Sequence, residues 1–199
     1  MPRLDPAAEV SSAARIGPDT VVWGLAQVRE DAVVGSECVI GRGAYLGVGV
    51  RLGDRVKVQN LAQVYEPAVV EDGVFIGPAA VLTNDQYPRA VRPDGTRVDS
   101  SHWEPVGVTL REGCSVGARA VCVAPVVVGR WAMVAAGAVV VHDVADFALV
   151  AGTPARRIGW VGPAGRRLLD EGDGRWRCPA TGALFAESEG LLREAGQHG

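Results

Sequence analysis

The chain has 199 residues, 48% of them hydrophobic and 22% charged, enough to bury a core and to form one domain with a short appendage. A formal charge of -3 and no dense Lys/Arg cluster exclude the electrostatic footprint of a nucleic-acid partner or an anionic membrane surface. Residues 1–11 hold no apolar secretory core and no stretch approaches the length of a membrane span, so a cytoplasmic protein is expected.

From the N-terminus onward, aliphatic residues recur at Ile16, Val22, Val28, Val34, Ile40, Leu46, Leu52, Val58, Val64, Val70, Ile76 and Leu82, each six residues after the last. Four residues beyond each stands a second, smaller row, Thr20, Ala26, Ala32, Cys38, Ala44, Val50, Val56, Ala62, Ala68, Val74 and Ala80, which fails only at Gln86. Glycine often follows the aliphatic, as at Gly17, Gly35, Gly41, Gly47, Gly53 and Gly77, which suits a sharp backbone corner. Sandwiches and barrels space their turns at roughly 8 to 12 residues, and helices repeat at about 3.6; neither holds a six-residue phase. Three such faces close a triangular coil of eighteen residues, with coils stacked about 4.8 Å apart. Residues eighteen apart therefore lie above one another.

The phase is lost between about Asn84 and Thr109. It resumes at Leu110, Val116, Cys122, Val128, Val134 and Val140, with Cys114, Ala120, Val126, Ala132, Ala138 and Val144 as the small row. The predicted architecture is an all-β, parallel β-helix over residues 1–159, interrupted by one excursion at 84–109, then an appendage at 160–199. The cysteines show no CxxC pair and three of the four fall in inward rows, so buried free thiols are expected. In the appendage, Leu191-Leu192-Arg193 reads as a helical turn, and Cys178 lacks the partners that a tetrahedral zinc site requires. No metal is expected.

The hexapeptide rows, with Val150-Ala151-Gly152-Thr153-Pro154-Ala155-Arg156-Arg157-Ile158 closing them, resemble the left-handed β-helix acyltransferases over residues 10 to 160. Left-handedness comes from that resemblance alone, since most crossover connections are right-handed. Within it, Val56-Lys57-Val58-Gln59-Asn60, Val64-Tyr65-Glu66 and Leu82-Thr83-Asn84-Asp85-Gln86-Tyr87-Pro88-Arg89-Ala90 look like the branch that N-acetylates amino sugars carried on UDP or dTDP, particularly 3-amino sugars. The chain departs from that pattern at Leu61, where a second Asn is expected. The resemblance implies acetyl-CoA as cosubstrate, and a homotrimer with each active site between neighbouring β-helices.

A polar excursion of more than twenty residues inside a solenoid is usually functional or disordered. This one holds Asp85, Tyr87, Arg89, Arg92, Arg97, His102 and Trp103, a cationic and aromatic arm suited to a nucleoside diphosphate; the plainer reading is a solvated surface loop. Asn84 follows Glu66 by eighteen residues, so the two stack at the root of the arm and are the catalytic candidates. The resemblance implies that Asn84 binds the amine, which attacks the thioester directly; the plainer reading is an Asn serving the turn. Candidate bases are Glu66, Asp85 and His102, and the oxyanion calls for a backbone N–H on a later coil. Asn60 and Tyr65 join the arm as acceptor-binding candidates. The resemblance places CoA along Ala118, Ala135, Ala136, Gly137 and Pro154. Arg156 and Arg157 either pair with its phosphates or cap the open end of the solenoid.

His142 should face outward as a surface residue, and His198 sits in the tail. His102, His142 and His198 do not stack, which argues against a three-histidine metal enzyme such as a γ-class carbonic anhydrase. Other rivals are a scaffold, which would need no polar arm, and hexapeptide acetyltransferases of serine, antibiotics or free sugars.

Overall fold

The structure, a computed structural model, describes residues 1–99 and 103–195. Three parallel sheets wrap one axis. The first face runs Arg3–Leu4, Val21–Val22, Val39–Ile40, Lys57–Val58, Phe75–Ile76, Ser115–Val116, Met133–Val134 and Ala148–Ala151. The second stacks seven strands from Glu9–Val10 to Val139–Val140, and the third six from Arg15–Ile16 to Val126–Val128. Neighbouring strands pair eighteen residues apart, as Val21 with Val39 and Gln27 with Tyr45. The result is a β-solenoid of about eight turns, consistent with the left-handed β-helix that the resemblance implies.

Both inward rows are buried as the six-residue phase requires. Val22 through Leu82 and Leu110 through Val140 are at most 4% exposed, and the small row from Ala26 to Ala138 at most 3%. Burying each Val or Leu contributes about 1.5–3 kcal/mol, and every coil repeats the contribution. Cys38, Cys114 and Cys122 fill inward positions, and all four thiols are free and buried. Burial pushes Cys38 and Cys114 above the ordinary thiol range and Cys122 up to about 12.

The glycines after the aliphatic row serve a different purpose from the one the sequence suggests. A Cβ on Gly17 would lie 2.5 Å from the Gly35 carbonyl carbon, and one on Gly77 would lie 2.6 Å from the Ala118 nitrogen. The next coil occupies that space. The left-handed backbone falls two residues later, at Gly43, Gly49, Asp19, Leu25 and Leu61 among others. Polar side chains then stitch the corners: Asp54 Oδ1 accepts from Ser36 N at 2.7 Å, Asp72 Oδ1 from Asp54 N at 2.9 Å and Asn60 Oδ1 from Arg42 N at 2.9 Å.

The excursion leaves after Val81–Leu82 on the second face and returns at Val108–Leu110 on the third. Val81 pairs with Val121, forty residues on rather than eighteen, so 22 residues are inserted. The return falls slightly earlier than expected, since Val108 is already buried and Thr109 already pairs with Val69. Arg156–Trp160 then turns back antiparallel on Ala148–Ala151.

The tail folds as a four-stranded antiparallel sheet of Leu169–Gly172, Arg175–Arg177, Leu184–Ser188 and Leu191–Glu194. The helical turn expected at Leu191-Leu192-Arg193 is thus a strand. Leu192 and Phe185 point into the core while Leu191 and Leu184 stay exposed, a period of two that tertiary packing imposes over helix propensity. No helix is long and apolar enough to cross a membrane.

Candidate functional site

The corner between the second and third faces carries Tyr65-Glu66 on one coil and Thr83-Asn84 on the next, because Gln63 pairs with Val81. Thr83 Oγ1 accepts from Ala124 N at 3.0 Å, which seats the coil after the excursion directly on the one before it. Asn84 O accepts from Val106 N at 3.1 Å and closes the root of the arm. The Asn84 side chain is half-buried and makes no hydrogen bond among the described residues. The amide is therefore available to a ligand.

Glu66 is half-buried, and its Oε2 is the one buried side-chain oxygen without a partner among the described residues. It lies where a Cβ on Gly47 would be. An Asp or Asn in the equivalent notch reaches the backbone N–H of the coil below, as Asp54 does; the extra methylene of Glu66 carries its carboxylate past that bond. Beside it, Tyr65 meets Tyr45 with ring centroids 5.2 Å apart and planes tilted by 47°. Burial, then the Glu66 charge, holds the Tyr45 phenol above its ordinary range against the opposing pull of Arg29.

Beyond Asn84, Asp85 Oδ1 accepts from Tyr87 N at 2.9 Å, and residues 90–98 form a small hairpin with Val91 bridged to Arg97. Asp94 caps it by accepting from Thr96 N and Oγ1 at 2.9 and 2.6 Å, bonds that hold its carboxyl below the usual range. A hollow of about 400 Å³ lies among Asp85, Gln86, Tyr87, Arg89, Arg92, Val98, Trp103, Glu104 and Val106. It brings Asp85, Tyr87, Arg89 and Trp103 together. His102 lies outside the described residues. A larger hollow of about 600 Å³ sits between Arg111, Asp143 and the tail residues Leu191–Arg193; it touches none of the candidates, and size alone does not make it the site.

The remaining candidates fall on another edge. Asn60, Ala118 and Ala136 stack at the corner between the first and second faces, since Lys57, Phe75, Ser115 and Met133 pair in sequence. Pro154 reaches the same corner, because Ala155 N and Gly152 O both bond Val139. Ala136, Gly137 and Pro154 are exposed, and a Cβ on Gly137 would meet nothing within 4 Å; this open, small-residue edge has room for a pantetheine arm. Asn60 is spent on the Arg42 backbone, and the structure does not bring it to Glu66 or Asn84. Leu61 beside it is 56% exposed at φ 63°, a backbone region that Asn adopts readily. The Asn expected there answers to backbone conformation on this edge.

Arg157 is engaged at the solenoid end. Its Nη1 donates to Glu187 Oε1 at 2.9 Å and its guanidinium lies 4.1 Å over the Trp160 ring, while Trp160 and Trp176 donate to Glu187 Oε2 at 2.8 and 3.0 Å. The Arg157 bond foremost holds the Glu187 carboxyl below its ordinary range. Arg156 keeps an exposed side chain. His142 is exposed, and it belongs to the Asn84 column two coils later, because Val81, Val121 and Val139 pair in sequence. Two coils are about 10 Å, beyond hydrogen-bond reach of a group on Asn84 in the same chain. Among the described residues no three His, Cys, Asp or Glu cluster as metal ligands do.

Comparison with known proteins agrees with the repeat. Residues 31–60 and 107–141 match the family described as the hexapeptide repeat of succinyl-transferase, in the same stretches where the six-residue phase is unbroken. A 52-residue stretch, 26% of the chain, is 48% identical to the dTDP-3-amino-3,6-dideoxy-alpha-D-galactopyranose 3-N-acetyltransferase of Aneurinibacillus thermoaerophilus, covering 27% of that protein. Over 135 residues, 68% of the chain, it is 35% identical to the bifunctional protein GlmU of Thermosynechococcus vestitus, covering 26% of it. The chain thus spans about a quarter of the length of these curated relatives. Among solved structures, a hexapeptide transferase family protein from Anaplasma phagocytophilum matches with a TM-score of 0.52 at 19% identity, covering 81% of this chain and 80% of that one.

Proposed function

We propose that the protein transfers the acetyl group of acetyl-CoA to the amino group of a UDP- or dTDP-linked sugar, a 3-amino sugar in the first instance. The observation that carries this is the amide of Asn84, unpartnered among the described residues and stacked over Glu66 at the root of an arginine-bearing arm. The sugar N-acetyltransferase named for the 48%-identical stretch supports it. Asn84 holds and orients the amine, whose lone pair attacks the thioester carbonyl carbon. The C–S bond of the tetrahedral intermediate breaks, and the departing thiolate takes up the proton that the nitrogen releases. Holding both reactants in line turns a bimolecular aminolysis into an effectively unimolecular one. Arg89 and Arg92 face the diphosphate, Trp103 and Tyr87 the base or sugar, and the edge from Ala118 to Pro154 takes CoA. Arg156 remains a phosphate partner, whereas Arg157 caps the solenoid.

Within one chain the two edges are separated by a whole face, six residues at about 3.3 Å each, while nucleophile and carbonyl must approach to about 3–3.5 Å. A closed homotrimer that sets one edge of each β-helix against the other edge of its neighbour meets that requirement. A cytoplasmic setting suits both substrates.

The test follows thiol release from acetyl-CoA with a panel of UDP- and dTDP-linked 3-amino and 4-amino sugars. We expect turnover with at least one acceptor, and a loss of about 100-fold or more in kcat/KM for Asn84→Ala, the scale of a lost positioning contact. Silence across the panel despite CoA binding overturns the acceptor class; failure to bind CoA favours a scaffold.

A further inference from the structure

Outside the residues already assigned, the outward row of the second face changes character along the solenoid. It runs Glu9, Gln27, Tyr45 and Gln63 in the early coils, then Val81, Val121 and Val139 after the acceptor corner. The change falls at the coil of Asn84. Tyr45 lies one coil before Tyr65-Glu66, and its ring meets that of Tyr65 at 5.2 Å and 47°. Both rings are partly exposed. A tilted pair leaves an open wedge instead of a closed stack, and aromatic faces present a large, rigid, electron-rich surface. Arg29, one coil before Tyr45, is engaged by Glu30 at 3.1 Å and makes no hydrogen bond to the phenol among the described residues.

A pyranose offers one face of C–H bonds that suits such a surface, and hydroxyls at its rim. An amine held at Asn84 places its own ring over the next coil toward the N-terminus, at Tyr65, about 4.8 Å away; the far rim then falls over Tyr45. We propose that Tyr45 and Tyr65 together form the platform for the acceptor's pyranose ring, and that Tyr45 is a specificity-determining residue for the amino sugar. This rests on the sugar-nucleotide reading given above. The diphosphate and base are left to the arm, so the platform and the arm contribute separately to affinity.

That separation supplies the test. In Tyr45→Ala we expect KM for the preferred sugar nucleotide to rise about tenfold, while the Kd of the bare nucleoside diphosphate, by titration calorimetry, stays within about twofold of wild type. Tyr45→Leu, which keeps apolar bulk without a ring face, should behave like Tyr45→Ala. Tyr45→Phe should recover most of the loss. A purely structural aromatic pair would instead lower Tm and weaken the bare diphosphate and the sugar nucleotide alike; that pattern, or an unchanged KM in Tyr45→Ala with active wild type, overturns the platform. A wild type that binds neither bare diphosphate nor sugar nucleotide overturns the acceptor reading, and the platform with it.

Discussion

Thr20 occupies an inward position that Ala, Cys or Val fills in the following coils, and it is fully buried. Its hydroxyl donates to Gly35 O at 2.8 Å and accepts from Cys38 N at 2.9 Å. Thr20→Val keeps the shape and strands both backbone groups, so it should cost about 1–3 kcal/mol, read as a lower urea midpoint at unchanged m-value. Glycine makes a second residue-scale contrast. Gly49 has φ +67° and open space around it, whereas Gly47 lacks a left-handed backbone and faces Glu66 Oε2. Gly49→Asn should be nearly neutral, since Asn tolerates that region. Gly47→Ala should displace Glu66 and lower kcat/KM by about tenfold or more; full activity in that variant would remove Glu66 from the site. The glycine after each aliphatic was legible in the sequence as a mark of the corner. Its cause was not, because the atoms that forbid a Cβ belong to the next coil.

At the scale of elements, the six-residue phase made nearly every strand readable. The tail was not readable, for it has no repeat and its organising residue is a single carboxylate. Trp160, Trp176 and Arg157 converge on Glu187 from 11 to 30 residues away, and no local pattern announces a junction of that span. Leu191-Leu192-Arg193 misleads for the same reason: it pairs with Leu184–Ser188, whose Phe185 packs edge-on against Phe147 at the solenoid end, with ring centroids 5.5 Å apart. Because the folded carboxyl of Glu187 lies below its ordinary value, it contributes stability that is full above the unfolded pKa of about 4.3 and is lost as pH falls through the folded value. Acidification below about pH 4 should therefore release the tail, seen as a red shift of tryptophan emission. Glu187→Ala should show that shift already at pH 7, and an unshifted spectrum there would mean that Glu187 does not hold the junction.

Across the whole molecule, counting by eighteen sets Glu66 beneath Asn84 from the sequence alone, but it cannot place residues beyond the excursion. The 22 inserted residues reset the count, so His142 was not recognised as a member of the Asn84 column. Nor does counting reveal that the candidates divide between two edges of the prism, with Glu66, Asn84 and the arm on one and Ala118, Ala136 and Pro154 on the other. That division yields a prediction that does not depend on knowing the acceptor's ring chemistry. Ala136→Trp should block the CoA edge and Asn84→Ala the acceptor edge, each nearly abolishing turnover alone. If a site is made from the acceptor edge of one protomer and the CoA edge of the next, co-refolding the two variants in equal amounts creates some junctions at which both edges are native. With random closed assembly that is about one junction in four, so activity should return to roughly a quarter of wild type. A site contained within one protomer always carries one of the two lesions, and its mixtures would stay as inactive as the parents.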